Sequence, residues 1–151
     1  MSNRNKDINE SKKNFALDSN IFRNLDLINY LTLHKSDFNI YIPTIVQLEL
    51  GYFYKVKGIL WEEFKKDIQK FNGIFLQWDN KIIPEVIQNA FNEKSNLPFK
   101  HHFRDFLIGV ESIKIPASLI TYNKKHFTWL KDIKIYNPEE FISLREYNEN
   151  I

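Results

Sequence analysis

NFALDSNIFRNL, residues 14–25, holds the junction on which the fold turns. An apolar run, Phe15-Ala16-Leu17, stops at an acid, Asp18. Ser19 and Asn20 follow, and a second apolar pattern begins. Ile21, Phe22, Leu25, Leu27, Ile28 and Leu31 recur at helical spacing to about Leu33. A buried strand therefore ends in a carboxylate just as a helix starts. Two readings compete. Asp, Ser and Asn all suit a helix N-cap. Alternatively, Asp18 stands at the carboxyl edge of a parallel sheet, where α/β proteins bind their ligands.

The same alternation runs outward along the chain. FNIYIP (residues 38–43) alternates apolar with polar and ends in proline, which predicts a short edge strand. Thr44 and Gln47 have capping-box spacing and predict a helix start. Ile45, Leu48, Tyr52 and Val56 continue that helix toward Gly58. Trp61, Phe64, Ile68 and Phe71 mark another helix, and GIFLQW after it reads as a strand. Ile82, Ile83, Val86, Ile87, Ala90 and Phe91 form a further helical stripe. SNLPFKHH reads as a loop. Phe106, Leu107, Val110 and Ile113 predict a helix running into the strand ASLITY. KKHFTWL suits one short helical turn, IKIY a last strand, and Pro138 the first position of a final helix. Strands alternating with helices predict an α/β layered fold around a parallel sheet.

Composition narrows the function. A chain of 151 residues predicts one domain, and at this length roughly 68–70% of the unfolded surface is buried. Residues 1–14 are polar and read as a flexible tail, leaving 15–151 as the domain. With no cysteine, disulfides, thiolate zinc sites and cysteine nucleophiles are excluded, and a reducing, cytoplasmic setting fits. No run of about 18 apolar residues exists to span a membrane, and the N-terminus lacks the apolar core of a signal peptide. A formal net charge of +2 permits an anionic partner without demanding one. Dinucleotide, Walker, nucleophile-elbow and H-E-x-x-H motifs are absent from the sequence.

The acids supply the chemistry. In a parallel sheet, helices run back antiparallel to the strands, so helix N-termini gather at the carboxyl edge. Asp18 follows the first strand. Glu49 is in the second turn of the helix begun at Thr44, Asp105 is close to the start of its helix, and Asn123 follows the strand SLIT. Four oxygen-bearing side chains thus converge on one edge. Singly, each has a plainer reading: a cap, a solvated helix position, an acid favoured by the helix dipole, a turn residue. Their joint placement favours function. Clustered carboxylates need compensation, and oxygen-only ligands favour magnesium or manganese over zinc.

FALDSNIF, IPTIVQLEL, FRDFLIGV and SLITYNKKHF together resemble the signature segments of PIN domains, the metal-dependent nucleases that include the VapC toxins. The resemblance spans about Phe15 to Phe141. It implies an α/β/α sandwich whose five-stranded parallel sheet has the order 3-2-1-4-5. It also implies cleavage of single-stranded RNA with Mg2+ or Mn2+, leaving 5′-phosphate and 3′-hydroxyl ends. By position, Asp18, Glu49 and Asp105 correspond to the metal-holding acids. Asn123 corresponds to a site that is often Asp, and Ser19 to a supporting hydroxyl. An uncharged Asn123 would hold a second cation weakly. Glu111, in a helix where small apolar residues are usual, is expected at the surface.

Lys100, His101, His102 and Arg104 lie beside the expected pocket, with Lys124 and Lys125 flanking Asn123. They suit contacts to RNA phosphates and equally suit solvated loops. Adjacent histidines seldom converge on one zinc, and His126 is expected to pack locally. One helix face cannot bury Tyr52, Phe53 and Tyr54 together, so at least one is expected to be exposed or to bury into a partner; a wide core helix is the plainer reading, and a homodimer or antitoxin surface is what the resemblance implies. Trp61, Trp78 and Trp129 are expected in the core. Rival readings are a non-catalytic RNA-binding or assembly module and a structure-specific DNA nuclease. The latter usually needs added helical elements for which 151 residues leave little room.

Overall fold

A computed structural model describes residues 12–149. In chain order the strands are β1 (Lys13–Leu17), β2 (Phe38–Ile42), β3 (Ile74–Phe75), β4 (Ser118–Ile120) and β5 (Ile135–Tyr136). The helices are α1 (Leu25–Leu33), α2 (Thr44–Val56), α3 (Trp61–Gln69), α4 (Ile83–Asn92), α5 (Phe99–Lys114) and α6 (Pro138–Glu149). The strands pair in parallel in the order β3-β2-β1-β4-β5. Of the expected polar tail, residues 1–11 lie outside the described residues, while Lys13 and Asn14 already belong to β1.

β1 sits at the centre of the sheet, and Phe15, Ala16 and Leu17 are buried. Their lack of alternation is what a strand covered on both faces requires. Phe15 meets Phe38 and Phe141 edge-to-face at 5.6 and 4.9 Å between ring centroids. That cluster ties α6 to β1 and β2. α1 packs against α6, while α2 contacts α3 and α5, and α4 contacts α5. The result is the expected α/β/α arrangement.

Several elements differ from the sequence expectation. β2 is an interior strand, not an edge: Pro43 comes after its last residue and serves as the N-cap of α2, so the missing N–H lies outside the ladder. The helix expected over 21–33 divides into a 3₁₀ turn (Ser19–Arg23) and α1, because the Asn24 side chain accepts from Leu27 N–H at 3.0 Å and restarts the helix. The Thr44–Gln47 capping box does not form. Gln47 Nε2 instead donates to the carbonyls of Ile42 and Leu76, at 2.9 and 2.7 Å. SNLPFKHH is a loop only to Pro98, which caps α5.

Glu111 is buried rather than at the surface. It accepts the Thr44 hydroxyl at 2.5 Å and the Thr44 N–H at 3.3 Å. A carboxylate from α5 therefore caps α2 in place of the missing box. Burial pushes the Glu111 pKa up, and the Thr44 bonds only partly oppose it. Trp61 and Trp78 are exposed by about half, whereas Trp129 is in the core as expected. Tyr54 is half-buried and donates its hydroxyl to Asp67 Oδ2 at 2.9 Å; burial first, then Asp67, push its pKa up to about 12. Its neighbours Tyr52 and Phe53 are exposed.

α2 ends at Val56 with Lys57 as its C-cap, and Gly58 follows with a φ of 78°, the left-handed conformation that favours glycine after a helix. Gly109 plays a different part. A Cβ there would come within 2.5 Å of the Trp129 ring. Gly109→Ala should therefore destabilise the fold by about 1–3 kcal/mol through overpacking, read from urea melts. An unchanged midpoint would show that the Trp129 ring is free to move aside.

Candidate active site

Parallel pairing sends the carboxyl ends of β1, β2 and β4 to one edge of the sheet. Asp18 is the first residue past β1. Its N–H donates to Ile120 O at 3.0 Å, locking it to the exit of β4. The side chain is fully buried. Oδ1 accepts Ser19 N–H at 2.7 Å and caps the 3₁₀ turn, while Oδ2 accepts the Thr121 hydroxyl at 2.8 Å. Both readings of this acid hold: it caps a turn, and it lies at the carboxyl edge.

Glu49 projects from the second turn of α2 and is 35% exposed. Asp105 is buried in the second turn of α5, not its first. Arg104 joins them. Its Nη2 donates to Asp18 Oδ1 at 2.7 Å, to Glu49 Oε1 at 2.8 Å and to Ser19 Oγ at 3.1 Å. Nε donates to Glu49 Oε2 at 3.0 Å, and Nη1 to Asp105 Oδ1 at 2.6 Å. The planar guanidinium fork matches carboxylates in this way, where a lysine would offer one point charge.

The electrostatics follow from burial and these contacts. Burial pulls the Arg104 pKa down, but the bonds and charges of Glu49 and Asp18 outweigh it and hold the group above its ordinary range. Burial pushes the Asp105 carboxyl up, and Asp18 adds to this. The Arg104 charge, the His102 hydrogen bond and the His126 charge oppose it without cancelling it.

The other expected site residues divide. Ser19 supports Arg104. Asn123 stands one step out, its N–H donating to Thr121 Oγ1 at 3.0 Å. Thr121 is the residue past β4 that reaches Asp18. Pairing of Leu17 with Ile120 sets Asp18 beside it, so being one residue past a strand was the available signal. His101 and Lys125 are exposed. Lys124 pairs with Glu140 at 2.9 Å. His102 is the histidine that turns inward, its Nδ1 3.3 Å from Asp105 Oδ2. His126 approaches the same oxygen at 3.3 Å from the 3₁₀ turn Lys124–Phe127.

The acids suit a hard divalent cation. Asp18, Glu49 and Asp105 offer only oxygen. Three carboxylates against one guanidinium leave two negative charges, the charge of one such ion. Arg104 holds an oxygen of each acid, so a cation at their centre must compete with it. Arg104 is 23% exposed and has solvent to turn into. The donor set fits, with the guanidinium as its competitor.

No protein-family model matches the chain, and no curated protein matches it. Solved structures do. The chain is similar to VapBC-1 from nontypeable Haemophilus influenzae, with a TM-score of 0.61 and 16% identity over 83% of this chain and 98% of that one. It is also similar to VapBC2 from Rickettsia felis bound to a DNA fragment from their promoter. There the TM-score is 0.59 and the identity 21%, over 82% of this chain and 98% of that one. The fold is PIN-like. At these identities the likeness is one of fold.

Proposed function

We propose that this protein is a divalent-metal-dependent endoribonuclease of single-stranded RNA, acting in the cytoplasm as the toxin of a toxin–antitoxin pair. The observation that carries this reading is the convergence of Asp18, Glu49 and Asp105 at the carboxyl edge of a PIN-like sheet. Asp18 and Asp105 are the buried anchors for Mg2+ or Mn2+, and Glu49, more exposed, completes the set. When bound, such a cation neutralises phosphodiester charge and activates water. Thr121 and Ser19 N–H orient Asp18 for this work. Arg104 keeps the acids in place while no substrate is present. It is also the cation best placed to turn toward a phosphate, with His101, Lys124 and Lys125 as outer contacts to the strand. Asn123 stands near without charge, so a single cation is expected to suffice.

The partner half of the reading rests on α2. Leu48, Tyr52 and Val56 recur every fourth residue and are 68%, 72% and 68% exposed, a continuous apolar stripe. An antitoxin fits such a stripe, as the likeness to VapBC complexes supports; a second copy of the chain is the other occupant. The second functional reading, a non-catalytic RNA-binding or assembly module, is favoured by Arg104 holding all three acids.

Incubation of the purified protein with labelled single-stranded RNA separates these readings. Cleavage is expected with manganese and is expected to vanish in EDTA. RNA that is bound but intact across metals would support the module, and cleavage that survives EDTA would remove the metal from the reaction.

A further inference from the structure

We infer that His102, Asp105 and His126 form a binding site for a zinc-class transition-metal cation, distinct from the oxygen-only set of Asp18 and Glu49. The inference does not rest on the nuclease reading, although Asp105 is shared. His102 and Asp105 are three residues apart on α5 and so share a face. His126 arrives from the 3₁₀ turn after β4. The three ligating atoms lie within 4.8 Å of one another.

The distances suit coordination as well as they suit hydrogen bonding: His102 Nδ1 makes a long hydrogen bond to Asp105 Oδ2, and His126 Nδ1 makes none. Both Nδ1 atoms are 3.3 Å from Asp105 Oδ2. That exceeds the usual range for N–H···O, about 2.7–3.2 Å. Those two separations match the edge of a tetrahedron with metal–ligand bonds of about 2.0 Å, which is about 3.3 Å; the third, between the histidines, lies within 4.8 Å and would close as a cation draws the rings together. The imidazole rings meet edge-to-face with centroids 4.8 Å apart.

A second observation points to a ligand. His126 Nδ1 is buried without a hydrogen-bond partner. Its 3.3 Å approach to Asp105 has the distance of an ion pair but not the direction of a hydrogen bond. A buried nitrogen left so costs free energy, and a metal ion accepting its lone pair removes that cost. The cation also has an entry path. A cleft of about 330 Å³ is lined by both histidines together with Glu93 and Asn96, leaving room for a water as fourth ligand. Two imidazoles and one carboxylate are a donor set for zinc, not magnesium.

Cobalt(II) tests this in the untagged full-length protein, because tetrahedral cobalt with nitrogen ligands absorbs visibly. A stoichiometric visible band that zinc displaces is expected. His102→Gln and His126→Gln, each checked for folding by circular dichroism, should weaken cobalt binding by at least about tenfold, since even the loss of a ligand's supporting partner costs about 10–100-fold. Asp18→Asn should leave the band in place. If one histidine variant fails to fold, the other decides. No band, a band indifferent to the histidine substitutions, or one lost with Asp18→Asn would overturn the site. Cobalt binding without RNA cleavage would leave this site standing and remove the nuclease reading; cleavage without cobalt binding would do the reverse.

Discussion

Arg104→Met should lower the stability of the metal-free protein by about 3 kcal/mol, the lower end of what loss of one partner costs a buried ion pair. Methionine keeps most of the apolar stem and removes the charge. Asp18 and Asp105 would then face each other in a buried setting with Glu49 nearby, and without the guanidinium that joins all three. The lower end is appropriate because Glu49 is partly open to water. For a chain of this length the melting temperature should fall by roughly 6–12 °C. Two further signs identify the cause. Manganese should restore much of the loss, because a divalent cation supplies the missing charge. The deficit should also shrink as pH falls. Without the opposing Arg104 charge the Asp105 carboxyl is pushed further up by burial, and a raised carboxyl pKa contributes stability that is present at low pH and lost as pH rises through it. Arg104→Lys should recover only part, since a point charge cannot reach three carboxylates at once. Melts in EDTA and in manganese read all of this. An unchanged midpoint in EDTA would show that Arg104 is not the counter-ion of the acids.

Asp18→Asn should abolish RNA cleavage while leaving the fold intact. A bound cation supplies several kcal/mol of charge stabilisation in the transition state, so losing its main anchor should cost about 10²- to 10⁴-fold in rate at 1.36 kcal/mol per tenfold. The fold should survive because asparagine still accepts Ser19 N–H through its side-chain oxygen, and the Thr121 hydroxyl can rotate to accept from the amide. Relief of repulsion with Asp105 offsets the lost bond to Arg104. Rate constants on labelled RNA, set beside thermal melts, check both halves. An unchanged rate with an unchanged melt would sink the nuclease reading, since no other residue can replace a buried acid at the end of β1.

The strand Phe15–Leu17 and the acid that follows were legible because both depend on neighbours in the chain. The same holds for the helix start at Pro138, where Asn137 Oδ1 accepts Glu140 N–H at 2.8 Å, and for the stop at Gly58. Asp18, Glu49 and Asp105 could be placed on one edge because a parallel sheet with returning helices allows no other side for them. That inference uses topology and needs no side-chain contact.

What each of those side chains touches was beyond reach. Arg104 reads as a phosphate contact beside the pocket, yet its partners lie 55 and 86 residues away, in Glu49 and Asp18. Glu111 reads as a surface position, yet its partner Thr44 is 67 residues away across a buried interface. His102 and His126 belong to different elements, and their rings meet only because the turn after β4 packs on α5. Periodicity and capping are local properties, written in adjacent residues and readable there. Charge compensation, burial of polar groups and the pairing of imidazoles depend on which surfaces the strand order brings together, and only the folded chain decides that.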